Sequence, residues 1–160
     1  MAAKVKASDV AREIDEAARS AASPEALMKL ISERLHERML KYNWVGFYMI
    51  RNEGQEPMLH LGPFVGSMTP HTTIRLNQGI CGAAASTGKT VVVDDVNKDA
   101  RYLACSLETK SEIVAPIFVR GKVVGELDID SHFPAAFSEE DRFLVEHCAR
   151  LVGQLLEKKA

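Results

Sequence analysis

Acidic side chains alternate with apolar ones along the segment from Val123 to Asp130. Glu126, Asp128 and Asp130 stand two residues apart, so on a β-strand they share one face, because successive side chains point to opposite faces. The solvated face of an edge strand would explain such a pattern. A bound cation or a shared proton with a catalytic use would also explain it, and this makes the three acids candidate catalytic residues.

The segment before these acids predicts the other strand of a β-hairpin. Ile113–Val119 and Val123–Asp130 flank the sequence Arg-Gly-Lys, and three-residue loops that contain glycine are common in hairpins. This register places Glu112 opposite Asp130, whereas a two-residue loop would move Glu112 to the other face. We prefer the three-residue loop, which adds Glu112 to the acids. Because like charges in such contact are destabilising, at least one carboxyl pKa is expected to rise.

A metal site is the weaker alternative for the acids, because no histidine is spaced to join them. His132 lies just beyond the strand and is interpreted as a surface residue. A bound ammonium group or a shared proton is therefore the favoured use of the carboxyls.

Three cysteines offer thiols of different character. Cys148 falls on the apolar stripe of a predicted C-terminal helix, where cysteine serves as a small hydrophobic residue. Cys81 lies in a tight turn that enters a short helix, and the helix N-terminus would lower its pKa, although simple packing explains it equally well. Cys105 lies in an aperiodic segment, which predicts an exposed thiol. Acidic neighbours would raise the pKa of Cys105, so a substrate would bring its own positive charge or be protonated before attack.

Helical patterns at both ends of the chain enclose the strands that position these residues. Apolar spacing predicts two helices in the first part of the chain, the second of them starting at Ser23-Pro24, and a last helix after Ser138. Between them the pattern predicts strands joined by short connections, at Trp44–Ile50, Met58–Val65, Thr72–Leu76 and Val91–Val93 and in the hairpin, with a short helix over Gly79–Gly88. This order favours an α+β fold with a largely antiparallel sheet over a doubly wound parallel one.

Composition predicts one domain over residues 1–160, since the chain has 160 residues, of which 46% are hydrophobic and 26% charged. A net charge of −2 gives no electrostatic footprint for nucleic acid. No segment has the pattern of a signal peptide or the apolar length of a membrane span, so we expect a cytoplasmic protein without a membrane partner. Three irregularly spaced cysteines are too few for a disulfide framework.

Five motifs fall in one order along the chain: Asn43–Tyr48, Leu61–Gly66, Gly79–Gly82, Cys105 followed by Ser111–Val114, and Leu127–Ser131. Together they resemble the free methionine-(R)-sulfoxide reductases, which are stand-alone GAF domains, over most of the chain from about Ala26 to Leu156. The resemblance implies a GAF-like, mainly antiparallel sheet of about six strands. The N- and C-terminal helices would cover one face and a ligand pocket would lie on the other. Residues 1–22 would form an N-terminal helix ahead of a core over residues 23–160.

The resemblance also implies roles for the cysteines. Cys105 matches the family's catalytic cysteine, whose thiolate attacks the sulfoxide sulfur, releases methionine and becomes a sulfenic acid. Cys81 matches a second cysteine that can form a disulfide with it, and thioredoxin or a similar dithiol would complete the cycle. Many members carry a further, resolving cysteine where this chain has His71. Resolution would then fall to Cys81 or to an external thiol.

The pocket residues implied by the resemblance are acids and aromatics. Glu112, Asp128 and Asp130 match the acids that hold the substrate and polarise or protonate the sulfoxide oxygen. Trp44 and Tyr48 match the aromatics that shape the pocket for the methyl-sulfur end. Neither a cofactor nor a metal is implied.

Two other functional hypotheses compete with the enzyme hypothesis. One is a sensory GAF module that binds a small ligand without catalysis, and the other is a redox switch that uses Cys81 and Cys105 without a dedicated substrate. The amphipathic N-terminal helices could pack on a second subunit, so we expect a homodimer. Glu126 matches no functional position of the family and is left out of the predicted site.

Overall fold

A computed structural model describes residues 5–54, 56–103 and 107–159. The helices are α1 (Ala7–Ala18), α2 (Pro24–Arg38), α3 (Gly79–Thr87) and α4 (Glu139–Lys159), with a 3₁₀ turn over Val96–Lys98. The strands are β1 (Trp44–Glu53), β2 (Glu56–Val65), β3 (Thr73–Arg75), β4 (Val91–Val93), β5 (Ser111–Val119) and β6 (Lys122–Ser131). Among the described residues no helix is long and apolar enough to cross a membrane.

Local signals account for where the long helices begin. The Ser23 hydroxyl accepts a hydrogen bond from the Ala26 backbone N–H at 3.1 Å, ahead of the proline that opens α2. Ser138 and Asp141 cap α4 reciprocally. The Asp141 N–H donates to the Ser138 hydroxyl at 3.3 Å, and the Ser138 N–H donates to the Asp141 carboxylate at 2.9 Å. The predicted capping box, with aspartate in the place of glutamate, is therefore present.

The six strands form one sheet in the order β3-β2-β1-β6-β5-β4, and every neighbouring pair is antiparallel. The predicted α+β class and antiparallel sheet are confirmed. The centre of the sheet is β1 and β6, so the strand that carries the alternating acids is an inner strand. An inner strand cannot present a solvated edge, and this rules out the simplest alternative explanation of those acids.

Two hydrophobic cores lie on opposite faces of the sheet. On the helix side, α2 and α4 pack on the sheet and α1 packs on these two helices; the core includes Val45, Leu127 and Ile129, which are fully buried. On the pocket side, α3 packs over residues that include Trp44 and Tyr48. The terminal helices thus cover one face, as predicted, and the other face is left to α3 and the loops.

The β5–β6 hairpin differs from the prediction in its turn but not in its key pairing. Glu112 pairs with Asp130, yet Val119 pairs with Lys122, so the loop has two residues, Arg120 and Gly121. Both loop residues have positive φ, 52° and 79°, as a type I′ turn requires. The predicted three-residue loop is therefore wrong.

A β-bulge next to this turn restores the register. Ile117 pairs with Gly125 and Phe118 pairs with Val123, which leaves Val124 as an extra residue on β6. Strict alternation along β6 would place Val124 on the same face as the acids. The bulge instead places Val124 in the helix-side core and Val123 in the pocket-side core. Beyond the bulge, the acids of β6 all face the pocket side.

Candidate functional site

Three carboxyls converge on the pocket side of the sheet, and we call Glu112, Asp128 and Asp130 the acid cluster. Glu112 stands opposite Asp130 across β5 and β6. Their exposed fractions are 5%, 3% and 6% for Glu112, Asp128 and Asp130. Glu112 is in hydrogen-bonding contact with both aspartates. Two carboxylates cannot share a hydrogen bond without a proton, so the cluster retains at least one proton.

Burial is the main cause of the shifted acidity in the acid cluster. It raises the pKa of Glu112 well above its usual range, and the charges of Asp128 and Asp130 add to this effect. Burial and the charge of Asp128 raise the pKa of Asp130 in the same way. Burial also raises the pKa of Asp128, although hydrogen bonds from Glu112 and Cys81 oppose the shift. The expected rise of at least one carboxyl pKa is confirmed, and Glu112 is best suited to hold the proton.

Cys81 joins the acid cluster from the first turn of α3. Its thiol donates a hydrogen bond to Asp128 at 3.4 Å, and its side chain is buried. Burial, followed by the charges of Asp128, Glu126 and Glu112, raises the pKa of the thiol well above its usual range. The expectation that the helix N-terminus would lower this pKa is wrong, because desolvation and carboxylates outweigh a helix of nine residues.

Aromatic rings form the wall beside the acids. The indole N–H of Trp44 donates to the Ser67 carbonyl at 3.0 Å, and the Tyr48 hydroxyl donates to the His71 carbonyl at 2.7 Å. The two rings are 6.3 Å apart between centroids. Gly46 lies between them on β1, opposite Asp128. A Cβ at Gly46 would come within 2.4 Å of the Trp44 ring, so this glycine lets the indole lie across the strand.

A half-open cavity of about 60 Å³ lies against this wall. That volume holds about four water molecules, at roughly 15 Å³ of such space for each. Its lining combines predicted residues with ones that sequence reasoning missed: Asn43, Trp44, Tyr48, Ser67, Met68, Thr69, Thr109, Asp128, Asp130 and His132. Asp128 and Asp130 thus reach the cavity itself, while Glu112 and Cys81 lie behind Asp128.

His132 is exposed, as the sequence predicted, and it also lines the cavity. Its ring stands 3.5 Å from the Glu108 carboxylate, and its backbone N–H donates a hydrogen bond to the Asn43 side-chain oxygen at 2.7 Å. Its position two residues after the last acid of β6 was the available signal. Asn43, directly before β1, gave no such signal, because only the β1–β6 pairing brings it to the end of β6.

Glu126 belongs to the same face although it was left out of the predicted site. It is fully buried between Tyr48 and Pro116 in the strand register. Neither of its carboxylate oxygens has a hydrogen-bond acceptor or donor at bonding geometry among the described residues. Burial and the charge of Asp128 raise its pKa well above the usual range. The structure therefore adds a fourth acid beside Cys81 and Asp128.

The structure describes one of the two remaining cysteines. Cys148 is fully buried in the helix-side core, which confirms its structural role. Cys105, the predicted nucleophile, lies outside the described residues.

The chain belongs to the GAF domain family, whose pattern matches residues 23–156. It is 35% identical over 124 residues to the free methionine-R-sulfoxide reductase of Escherichia coli, which covers 78% of this chain and 70% of that protein. Within the GAF proteins the chain belongs to the free methionine-R-sulfoxide reductase family.

Two further comparisons agree with this assignment. The free methionine-R-sulfoxide reductase of Saccharomyces cerevisiae is 42% identical over 113 residues, 70% of this chain and 62% of that protein. The chain thus matches less than two thirds of the yeast protein's length. The X-ray structure of free methionine-R-sulfoxide reductase from Neisseria meningitidis in complex with its substrate superposes with a TM-score of 0.89 at 31% identity. It covers 99% of this chain and 96% of that chain.

Proposed function

We propose that this chain reduces free L-methionine-(R)-sulfoxide to methionine with thiols as the electron source. The observation that carries the proposal is the buried acid cluster at the wall of the aromatic-lined cavity, in a chain of the free methionine-R-sulfoxide reductase family. A free amino acid brings an ammonium group, and a sulfoxide brings an oxygen that must gain protons. An acid cluster that holds both negative charge and a proton serves the two needs together.

The carboxyls divide these tasks by their protonation. Asp128 and Asp130 line the cavity, so an ionised aspartate there can accept hydrogen bonds from the substrate ammonium. The proton held within the cluster can be donated to the sulfoxide oxygen, which makes the sulfur more electrophilic. The rings of Trp44 and Tyr48 can make apolar contacts with the methyl-sulfur end of the substrate, which carries no charge.

The thiol chemistry conserves atoms and electrons. The Cys105 thiolate attacks the sulfoxide sulfur while the sulfoxide oxygen gains a proton, and a bond forms between the two sulfurs. The hydroxyl group then passes to the cysteine sulfur as the sulfur–sulfur bond and the substrate S–O bond break, so methionine is released and Cys105 is oxidised by two electrons to a sulfenic acid. A second thiol then attacks the sulfenic sulfur, forming a disulfide and releasing water. A dithiol such as thioredoxin reduces the disulfide and returns two thiols.

Recycling is the step at which this chain departs from many members of its family. His71 stands at the position of their resolving cysteine, and its backbone carbonyl accepts a hydrogen bond from the Tyr48 hydroxyl. We propose Cys81 as the resolving thiol, with an external thiol as the other route. Its raised pKa makes Cys81 a weak nucleophile while the acids around it are charged, so resolution by Cys81 is expected to be slow compared with a thiol of ordinary pKa.

The test is a coupled assay of NADPH oxidation through thioredoxin reductase and thioredoxin, with each epimer of free methionine sulfoxide as substrate. We expect turnover with the R epimer, loss of turnover to background in Cys105→Ser, and retention in Cys148→Ser, the buried control. Absence of turnover with either epimer at high enzyme concentration would falsify the proposal. Turnover in Cys81→Ser with dithiothreitol, but not with thioredoxin, would assign resolution to Cys81.

The remaining proposals concern the setting of the protein. We propose a cytoplasmic homodimer that meets its substrate as a free small molecule. Sedimentation velocity on the full chain tests the dimer, and a monomeric value across micromolar concentrations would contradict it.

A further inference from the structure

One thiol and two carboxyls converge beneath the cavity. Cys81, Glu112 and Asp128 each offer a ligand atom, and these atoms lie within 4.8 Å of one another. Donor atoms around one tetrahedral Zn²⁺ are roughly 3–4 Å apart, given bond lengths of about 2.0–2.3 Å. Small rotations of the three side chains would therefore bring their donors to the spacing that such an ion requires.

Unpartnered acceptor atoms surround the same point. The Oδ1 atoms of Asp128 and Asp130 and both oxygens of Glu126 are buried without a hydrogen-bond partner among the described residues. A buried carboxylate without a partner is costly. The usual compensations are protonation, a hydrogen-bond donor, a counter-charge or a coordinated cation. Among the described residues that line the cavity, none is a lysine or an arginine.

We propose that Cys81, Glu112 and Asp128 bind a thiophilic divalent cation of the Zn²⁺ class, with Glu126 beside the thiol as a further oxygen donor. The sulfur decides the class of ion, because thiolate ligands select Zn²⁺ and related soft ions over Mg²⁺ and Ca²⁺. Histidine is not needed for such a set, since cysteine and carboxylate are both zinc ligands. The cysteine was the ligand that the pattern of acids alone did not include.

The position of the site gives the ion access through the cavity and places it where the substrate is proposed to bind. Asp128 belongs both to the ligand set and to the cavity lining, so the cavity leads to the metal. An ion held there would occupy the carboxylate that the substrate ammonium is proposed to use. Metal and substrate are therefore expected to exclude each other, although metal binding itself does not depend on the proposed reductase activity.

The experiment is a titration of the reduced, metal-stripped full chain with Cd²⁺ or Zn²⁺ alone. Cd²⁺ binding is followed by thiolate-to-metal charge-transfer absorption, and Zn²⁺ binding by calorimetry. We expect one equivalent to bind with the Cd²⁺–thiolate band present in wild type, Cys105→Ser and Cys148→Ser. In Cys81→Ser the band should disappear and the affinity should fall by at least about tenfold, a loss that even outer-sphere substitutions reach.

Asp128→Asn and Glu112→Gln provide a second test of metal binding that leaves the thiol in place. Each should weaken Zn²⁺ binding about tenfold or more, and each should reduce the rise in melting temperature that Zn²⁺ gives the wild type. Failure of the wild type to bind either ion, or equal binding by Cys81→Ser and wild type, overturns the proposal. Loss of the band in Cys105→Ser instead assigns the thiol ligand to Cys105 and also overturns it. None of these measurements uses turnover, so they stand apart from the assay of reductase activity.

Discussion

Glu126 shows how far burial can change the behaviour of one residue. Its sequence position, two residues before Asp128, marks it only as a member of an acidic face. In the fold it is fully buried with both oxygens unpartnered, and its pKa lies well above the usual range. Glu126 therefore keeps its proton to a higher pH in the folded chain than in the unfolded chain.

This difference predicts a pH-dependent stability. Above the ordinary glutamate pKa of about 4.3, the folded state holds a proton that the unfolded state has lost, so the free energy of unfolding falls as pH rises. The fall stops once the pH passes the raised pKa of the folded state. Glu126→Gln cannot titrate, so its stability relative to wild type should increase with pH by up to about 1.4 kcal/mol per unit.

Urea unfolding of both proteins between pH 5 and pH 8 measures this difference. Glu33→Gln, on the exposed side of α2, is the matched control because it makes the same substitution without burial. An equal pH-dependent gain there would show that the substitution itself, and not the burial of Glu126, is the cause. Parallel stability curves for wild type and Glu126→Gln would show that Glu126 has the same pKa in both states.

Gly46 predicts a local effect on the aromatic wall. In Gly46→Ala the new Cβ would lie 2.4 Å from Trp44 and 2.8 Å from the Phe64 Cβ, so the indole must move. We expect a loss of about 1–3 kcal/mol in stability and a higher KM for the sulfoxide. Trp44 is the single tryptophan of the chain, so its fluorescence reports the movement directly.

Gly62→Ala is the matched control for the aromatic wall. A Cβ there would stand 3.4 Å from the Phe47 carbonyl oxygen, with no contact to the indole. Its tryptophan emission should stay at the wild-type wavelength. If Gly46→Ala also leaves the emission and the KM unchanged, the glycine is not what positions the ring.

At the scale of elements, the β5–β6 hairpin determines which acids meet. Its turn and its bulge offset each other, since a two-residue loop alone would have shifted Glu112 away from Asp130, and the extra residue Val124 shifts it back. The sequence predicted the correct pairing through an incorrect loop. Arg-Gly is an unfavourable pair for a type I′ turn, because the first position places a non-glycine residue at positive φ.

The turn therefore predicts a stabilising substitution. Arg120 has a φ of 52°, which asparagine tolerates better than arginine, and Asn-Gly is the favoured type I′ pair. We expect Arg120→Asn to raise the free energy of unfolding by about 0.5–1 kcal/mol, a shift in melting temperature of about 1–4 °C. Calorimetry measures it. Lys122→Asn removes the same charge at an exposed position beside the turn and should not stabilise; an equal gain there would mean that charge, not φ, is the cause.

At the scale of the whole molecule, the sheet separates a core that supplies stability from a face that supplies chemistry. The three long helices bury one side completely, so the other side can carry unpartnered acids and an open cavity. A ligand that satisfies those acids should therefore stabilise the entire fold. Ligand binding to the native state alone adds RT ln(1 + [L]/Kd) to its stability.

We expect free methionine-(R)-sulfoxide to raise the melting temperature of Cys105→Ser, the variant in which we expect no turnover. At a hundredfold excess over Kd the gain is about 2.7 kcal/mol, or about 5–10 °C for a chain of this size. Asp130→Asn in the same background should lose most of this shift. Stabilisation by a nucleotide and not by the sulfoxide would favour a sensory module instead.

Local sequence patterns were sufficient for those features that depend on neighbouring residues. The period-two alternation placed Glu126, Asp128 and Asp130 on one face, and the caps at Ser23 and Ser138 located the starts of α2 and α4. These signals are readable because each depends on contacts between residues a few positions apart.

Only the tertiary structure decided what those features do. Cys81 and Asp128 are brought to 3.4 Å by the packing of α3 on the sheet. The same packing buries the thiol, and this burial, followed by the charges of the nearby carboxylates, raises its pKa. The burial of Glu126 depends on β6 lying at the centre of the sheet. Desolvation and through-space charge are sums over atoms from many parts of the chain, so no local pattern of residues determines them.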